Sequence, residues 1–270
     1  MSTQPPTNTW LYAIAGAGAD RTVPPGLTGV AGEAPHVIAG PGLIALVGAV
    51  PRTDFDEEPL RARLEDAVWL EHAVRVHHHV VDTLARTAPV LPLRFATLYR
   101  DDQRAAAMLE ENRDELLASL QRTAGRVEWG VKAYLTPTGP PLDTDAEDGD
   151  PQQDPAVRPG TAYLLRRQAH RHRQEQAFQQ ATDDAVNVHT VLARSAVEAM
   201  RHPLQPPDAT GLTEPMVLNG AYLVEQTRTA AFHKAVSTLS ARFPGLRLKT
   251  TGPWPPYSFT TTAHHENEPR

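Results

Sequence analysis

Four histidines fall on one predicted helix: His72, His77, His78 and His79. Imidazole is a common ligand for transition metals, and a helix offers two of them to one ion when they stand at i and i+4 with a further ligand beyond. That spacing is absent. His72 and His79 are seven apart and share a face, while the three consecutive histidines spread over most of the circumference. These imidazoles are therefore read as solvated or packed groups, and no metal is expected. His170 and His172 are two apart, so they cannot share a face either. They belong to the basic run RRQAHRHRQEQ, which reads as a wet helix surface. The glycines of GAGADR, residues 16–21, lack the full spacing of a phosphate loop and have no helix signal after them. With no cysteine in the chain, disulfides, thiolate metal sites and a cysteine nucleophile are excluded. No nucleophile–base pair or carboxylate pair stands out, so catalysis has no visible machinery and no cofactor is implied.

Arg94 is the remaining polar group of interest. It sits inside VLPLRFATLY, residues 90–99, where Leu91, Leu93 and Phe95 alternate with Pro92, Arg94 and Ala96 as on a strand. A buried arginine there needs a carboxylate or carbonyl partner, which gives a structural ion pair between sheet and helix or, alternatively, a contact to a partner molecule. Pro92 cannot donate to a ladder, so this end of the strand belongs at an edge or bulge.

The stretch is flanked by two amphipathic patterns. Leu60, Leu64, Ala67, Val74, Val81 and Leu84 form a helical stripe before it, with Pro59 suited to the first turn. Ala105, Leu109, Asn112, Leu116 and Leu120 form another after it, capped by Asp101 and stopped by Gly125. A helix–strand–helix unit places the strand at the centre of a sheet backed by both helices. Upstream, Trp10, Tyr12 and Ile14 alternate with Leu11 and Ala13 as a first strand. His36–Ala39 and Leu43–Val50 read as a hairpin across Gly40-Pro41-Gly42. Downstream, Val127, Trp129, Val131, Ala133 and Leu135 alternate strictly with polar or small neighbours. The predicted order is strand, hairpin, helix, strand, helix, strand, an α+β sandwich of the ferredoxin-like kind.

Organisation follows from composition. Residues 1–9 are polar and expected to be disordered. Residues 10–135 form the N-terminal domain, and 136–160 form an acidic, proline-rich linker with six prolines and six acidic residues against one arginine. Residues 161–260 form a C-terminal α/β domain with a long helix, and 261–270 a loose tail. No proline or glycine interrupts residues 161–201, so one helix is predicted there, with Phe178, Ala181, Ala185, Val188, Leu192, Ser195 and Ala199 as its stripe. Met216–Val224 reads as a strand with Asn219-Gly220 as a turn or bulge. Phe232, Val236, Leu239 and Phe243 mark another helix, followed by a last strand from Leu246. The closing GPWPPYSF is too apolar and aromatic for a free tail. Its three prolines stiffen it, so Trp254, Tyr257 and Phe259 lose little entropy on docking, and the segment is expected to act as a clasp between the domains.

The 270 residues carry 25 prolines and a net charge of −6, which argues against general binding to nucleic-acid phosphate. The opening MSTQPPTNTW shows no secretory signal, and no apolar run approaches the ~20 residues that span a bilayer. A soluble cytoplasmic protein is expected.

Taken together, several motifs resemble the gas vesicle protein F/L family (GvpF/GvpL). They are WLYAIAG from Trp10, His77 followed by VLPLRFATLYRD from Val90, EWGVKAYL at 128–135, VLNGAYLVE at 217–225 and GPWPPYSF at 252–259. The family commonly has glycine after the RF pair, where this chain has Ala96. The resemblance implies two domains, a ferredoxin-like α/β sandwich and a helical α/β domain. It implies a non-enzymatic accessory protein of gas vesicle formation that binds the small, hydrophobic major shell protein (GvpA), and possible contact with other accessory proteins. Trp10, Arg94 and Phe95 are the residues singled out for the partner surface. The rival reading is a ligand-binding or metal-dependent ferredoxin-like enzyme or sensor.

Overall fold

The strand β1 (Thr7–Gly16) is buried from Thr9 to Ala15, as befits a strand with neighbours on both edges and cover on both faces. The computed structural model describes residues 6–136, 159–207 and 211–260. Within it β1 pairs antiparallel with β3 (Leu43–Pro51) on one side, and with β4 (Val90–Pro92) and β5 (Leu98–Tyr99) on the other. The hairpin partner β2 (His36–Gly40) completes a sheet of order β2-β3-β1-β4, with β5 also on β1. Gly42 turns that hairpin at φ 76°, a left-handed conformation glycine adopts without a steric cost.

The centre of the sheet is thus β1 and β3, and the 90–99 stretch lies at its edge. Pro92, with no N–H to offer, ends the first short strand there. The chain then turns: the Arg94 carbonyl accepts from Thr97 N at 3.2 Å, and pairing resumes with Leu98. The first strand also begins earlier than expected. Thr7 pairs with Pro51 and the Thr9 hydroxyl donates to Asp102 at 2.8 Å, so residues 7–9 are ordered. The register shifts between Leu11 and Ala13, a bulge that turns Ile14 onto the face of Leu11. Trp10, Tyr12, Ala13 and Ala15 share the opposite face. Strict alternation had placed Ile14 with Trp10.

The helical segment before β4 is broken in two places. It comprises α1 (Arg52–Phe55), α2 (Glu57–Glu65) and α3 (Ala67–Ala85). Asp66 ends α2 and caps α3, accepting from the N–H groups of Val68 and Trp69. One stripe cannot run through that break, which is why Leu64 and Val74 are exposed. The buried face of α3 is Ala73, His77, Val80, Val81 and Leu84. The second segment, capped by Asp101 as expected, breaks at Asn112 into α4 (Asp102–Glu111) and α5 (Arg113–Thr123). The sheet is sandwiched: α3 packs on the Trp10 face, and α4 with α5 on the Leu11 face.

The strand β6 (Arg126–Leu135), expected in the first sheet, belongs to a second sheet of order β7-β8-β6-β9. The chain divides into two compact units, residues 1–128 with 253–270, and residues 129–252. The division therefore falls within β6. Of the acidic stretch 136–160 expected as a linker, residues 137–158 lie outside the described residues, as does the tail from 261, while Pro159 and Gly160 begin the next helix. In the second unit, α6 (Pro159–Arg194) stops short of the expected length, and Glu198–Arg201 form β7 on the edge of β8 (Met216–Glu225). Nothing in the local sequence forbids helix there; the ladder to Gly220–Leu223 supplies the backbone partners instead. Ser195 and Ala199 consequently leave the helical stripe, whose buried members are Ala181, Ala185, Val188 and Leu192.

Asn219-Gly220 is neither turn nor bulge but the middle of a continuous β8. A Cβ on Gly220 would stand 2.7 Å from the Tyr222 hydroxyl oxygen, so glycine makes room for that ring, which is fully buried and hydrogen-bonded to His189 at 2.9 Å. The helix α7 (Thr229–Arg242) and strand β9 (Leu246–Trp254) complete the unit. No helix among the described residues is long and apolar enough to cross a membrane.

Candidate partner-binding site

Trp10 is 0% exposed and lies under a layer of rings. Phe95 stands edge-on to it at 5.1 Å and Phe55 at 5.8 Å between centroids. His77 closes the cluster from α3, 6.0 Å from Trp10 and 5.7 Å from Phe95. The indole N–H donates to His77 Nδ1 at 3.0 Å, and His77 Nε2 lies 3.1 Å from the Leu93 carbonyl oxygen. Burial pushes the His77 imidazole down to about 4, against a smaller upward effect of the Leu93 hydrogen bond. The histidine of the helix is therefore a neutral core group that ties α3 to the 90–99 edge.

Above this buried layer the surface is apolar and cationic. Trp69, half-buried, lies 6.4 Å from Phe95 and 6.1 Å from Phe55. The Arg63 guanidinium stands 5.5 Å from both the Phe55 and Trp69 ring centres and pairs with Asp54 at 3.2 Å. Val68, next to Trp69, is 80% exposed. Arg94 is exposed and makes no ion pair among the described residues, so the sheet-to-helix ion pair does not form. Its backbone carbonyl instead anchors a tight turn, accepting from Thr97 N and, at 2.7 Å, from the Thr97 hydroxyl. Ala96 occupies that turn at φ 64°, the one non-glycine at positive φ among the described residues.

The structure thus brings Trp10 and Phe95 together but separates their roles. Trp10 is interior, Phe95 is the seam, and Arg94 is on the surface. Trp69 and Arg63 were not picked out from the sequence. The useful signal was the Asp66 cap, which restarts the helix and rotates Trp69 out of the stripe.

The C-terminal segment packs within the first unit, of which it is part. Trp254, 40% exposed, meets the His78 ring edge-on at 4.8 Å. A hydrogen bond of 3.3 Å joins the Tyr257 hydroxyl to His78 Nδ1. Ser258 donates its N–H and hydroxyl to the buried Glu128 carboxylate at 2.7 and 2.6 Å. The carbonyl of Phe259, itself buried, accepts from Arg122 at 2.8 Å. Burial, followed by the nearby Glu128 and Asp82 charges, raises the Tyr257 phenol above its ordinary value. The other histidines do not converge, and no three His, Asp or Glu side chains form a metal-ligand group among the described residues.

Comparison with known proteins places these features. The family model described as gas vesicle synthesis protein GvpL/GvpF matches residues 8–261. The chain is 39% identical to gas vesicle protein L of Streptomyces sp. (strain CB03234), over 92% of this chain and 91% of that one. It is 27% identical to gas vesicle protein F of the same organism, over 93% and 99% of the two chains. The crystal structure of GvpF from Anabaena sp. PCC7120 superposes with a TM-score of 0.58 at 21% identity, over 96% of this chain and 98% of that one, which speaks to the fold alone. A mixed α/β chain with this sequence and these two sheets belongs to the gas vesicle synthesis protein GvpL/GvpF family.

Proposed function

We propose that the chain is a non-enzymatic assembly factor, working in the cytoplasm and at the gas vesicle, that binds the hydrophobic major shell protein GvpA and keeps it from aggregating while the vesicle grows. The observation that carries this is the apolar patch of exposed Val68 with half-buried Trp69 and Phe95 over a buried layer, together with exposed Arg94, next to Phe95 in the chain and in no ion pair among the described residues. Aromatic residues and arginine are the side chains that dominate protein interfaces, because they bury much area at little entropic cost. An apolar surface of this kind suits an apolar client.

The architecture is read as two domains, the first a ferredoxin-like sandwich. Support comes from the split connection: β1 and β3 lie side by side although β2 separates them in the chain, and α1–α3 cross from β3 to β4. The Trp254–Phe259 segment is read as a clasp, because three of its residues are bonded to α3, α5 and Glu128.

The test is retention of GvpA on the immobilised full-length chain. The wild type should hold it, and the double variant Val68→Asp, Arg94→Glu, altered at two exposed positions, should lose most of it. Equal retention by both would move the client surface elsewhere.

A further inference from the structure

The helix α6 outruns its support. Among its described side chains the first buried one is Ala181, and from Arg167 to Gln180 none is buried. That overhang of 14 residues amounts to about 21 Å of helix at 1.5 Å per residue. Leu192, Val188, Ala185 and Ala181 face the second unit's core with spacings of three and four. Phe178, Gln174, Arg171 and Arg167 continue the same spacings, so the core-facing stripe runs on past the core as an exposed phenylalanine and two arginines. Phe178 is 45% exposed.

The electrostatics of the overhang are unsatisfied. Arg167, Arg171 and Arg173 have no carboxylate partner among the described residues, and His172 reaches Glu175 at 3.9 Å. Elsewhere the pattern is different: each arginine of α2 and α3, and Arg86 just past the end of α3, has one, Arg61 with Glu57, Arg63 with Asp54, Arg75 with Glu71 and Arg86 with Asp82. Arg167 and Arg171 stand four apart and repel. A helix without tertiary contacts is marginal in water, and this one carries an added charge penalty.

We infer that the Arg167–Phe178 face of α6 is a docking helix for an acidic polypeptide segment of a partner protein, with Phe178 as its apolar anchor. Carboxylates laid along Arg167 and Arg171, with Arg173 on the adjoining flank of the helix, would relieve the repulsion and supply charge-assisted hydrogen bonds. The net charge of −6 disfavours nucleic acid as the occupant. This inference is independent of the Val68–Arg94 surface.

The full-length chain is titrated against a fluorescein-labelled oligo-glutamate peptide at low and physiological salt. Binding should weaken with salt, and weaken about tenfold in the variant Arg167→Gln, Arg171→Gln, Arg173→Gln, as three exposed charge pairs would give. The corresponding triple lysine variant should keep most of the affinity, which separates loss of charge from loss of fold. Equal binding by the wild type and the glutamine variant, or none by either, would overturn the proposal. Tighter binding of an oligo-uridylate probe would also overturn it in favour of nucleic acid. A last arm neutralises Asp143, Asp145, Glu147, Asp148, Asp150 and Asp154 with their amides: unchanged affinity for oligo-glutamate supports a partner in trans, whereas a gain of about tenfold would assign the face to the chain's own acidic stretch.

Discussion

Trp10 and His77 fix one another's chemistry. The indole N–H is a donor only, so the His77 Nδ1 that it meets at 3.0 Å must accept. The imidazole proton is then on Nε2, which donates to the Leu93 carbonyl. A protonated His77 would turn Nδ1 into a second donor facing the indole.

Stability should therefore be acid-sensitive. His77 titrates near 6.5 when unfolded and near 4 when folded, so the unfolded chain binds more protons between those values. The contribution is fully present above about pH 6.5 and falls as pH drops toward 4, by about 3 kcal/mol in all. Urea unfolding midpoints across that range check it. His77→Gln, which keeps an acceptor and a donor but does not titrate, should flatten the dependence.

Ala96 holds a backbone conformation that costs an L-residue with a Cβ roughly 1–2 kcal/mol. Ala96→Gly removes that cost while adding some entropy to the unfolded chain, so a net gain of up to about 1 kcal/mol is expected. Ala96→Val should destabilise. Thermal midpoints decide both.

Much of this was legible in the sequence, and the failures have physical causes. The hairpin at Pro41-Gly42, the Asp101 cap and the first strand follow from local chemistry that tertiary contacts did not override. The Pro92 edge was visible for the same reason, since a missing N–H has one consequence. The single helix over 60–85 failed because Asp66 acts as both an end and a start, and a stripe cannot be carried across it. The strand β6 was recognised, but alternation says nothing about which sheet a strand joins. The sequence leaves His77 open between a solvated and a packed group, like the other histidines of its helix. Its burial depends on Trp10, 67 residues away, and that pairing leaves no local trace. Phe95 is singled out by its place beside Arg94 in the 90–99 stretch, while Trp69 lies off the stripe drawn through Leu60–Leu84 and draws no attention.

Gly220 tests whether β8 is shaped around Tyr222. A Cβ there would meet the ring at 2.7–2.8 Å, and the ring is held by burial and by His189. Gly220→Ala should cost about 1–3 kcal/mol by overpacking, although alanine has the better intrinsic fit to regular structure. Denaturant midpoints would show it.

The C-terminal segment should contribute to stability in proportion to what it buries. Phe259→Ala is expected to cost about 3 kcal/mol, the usual scale for a buried ring. Ser258→Ala removes one of the two bonds to the Glu128 carboxylate and should cost about 1–3 kcal/mol. Calorimetry of the two variants checks this, and unchanged melting in both would mean that the segment is not part of the folded core.

The most direct measurement is light scattering of GvpA diluted from denaturant in the presence of this chain. Wild type should suppress the scattering in a concentration-dependent way, and Val68→Asp, Arg94→Glu should fail at the same concentrations with its melting temperature unchanged. Undiminished scattering with the wild type, or equal suppression by the variant, would contradict the account.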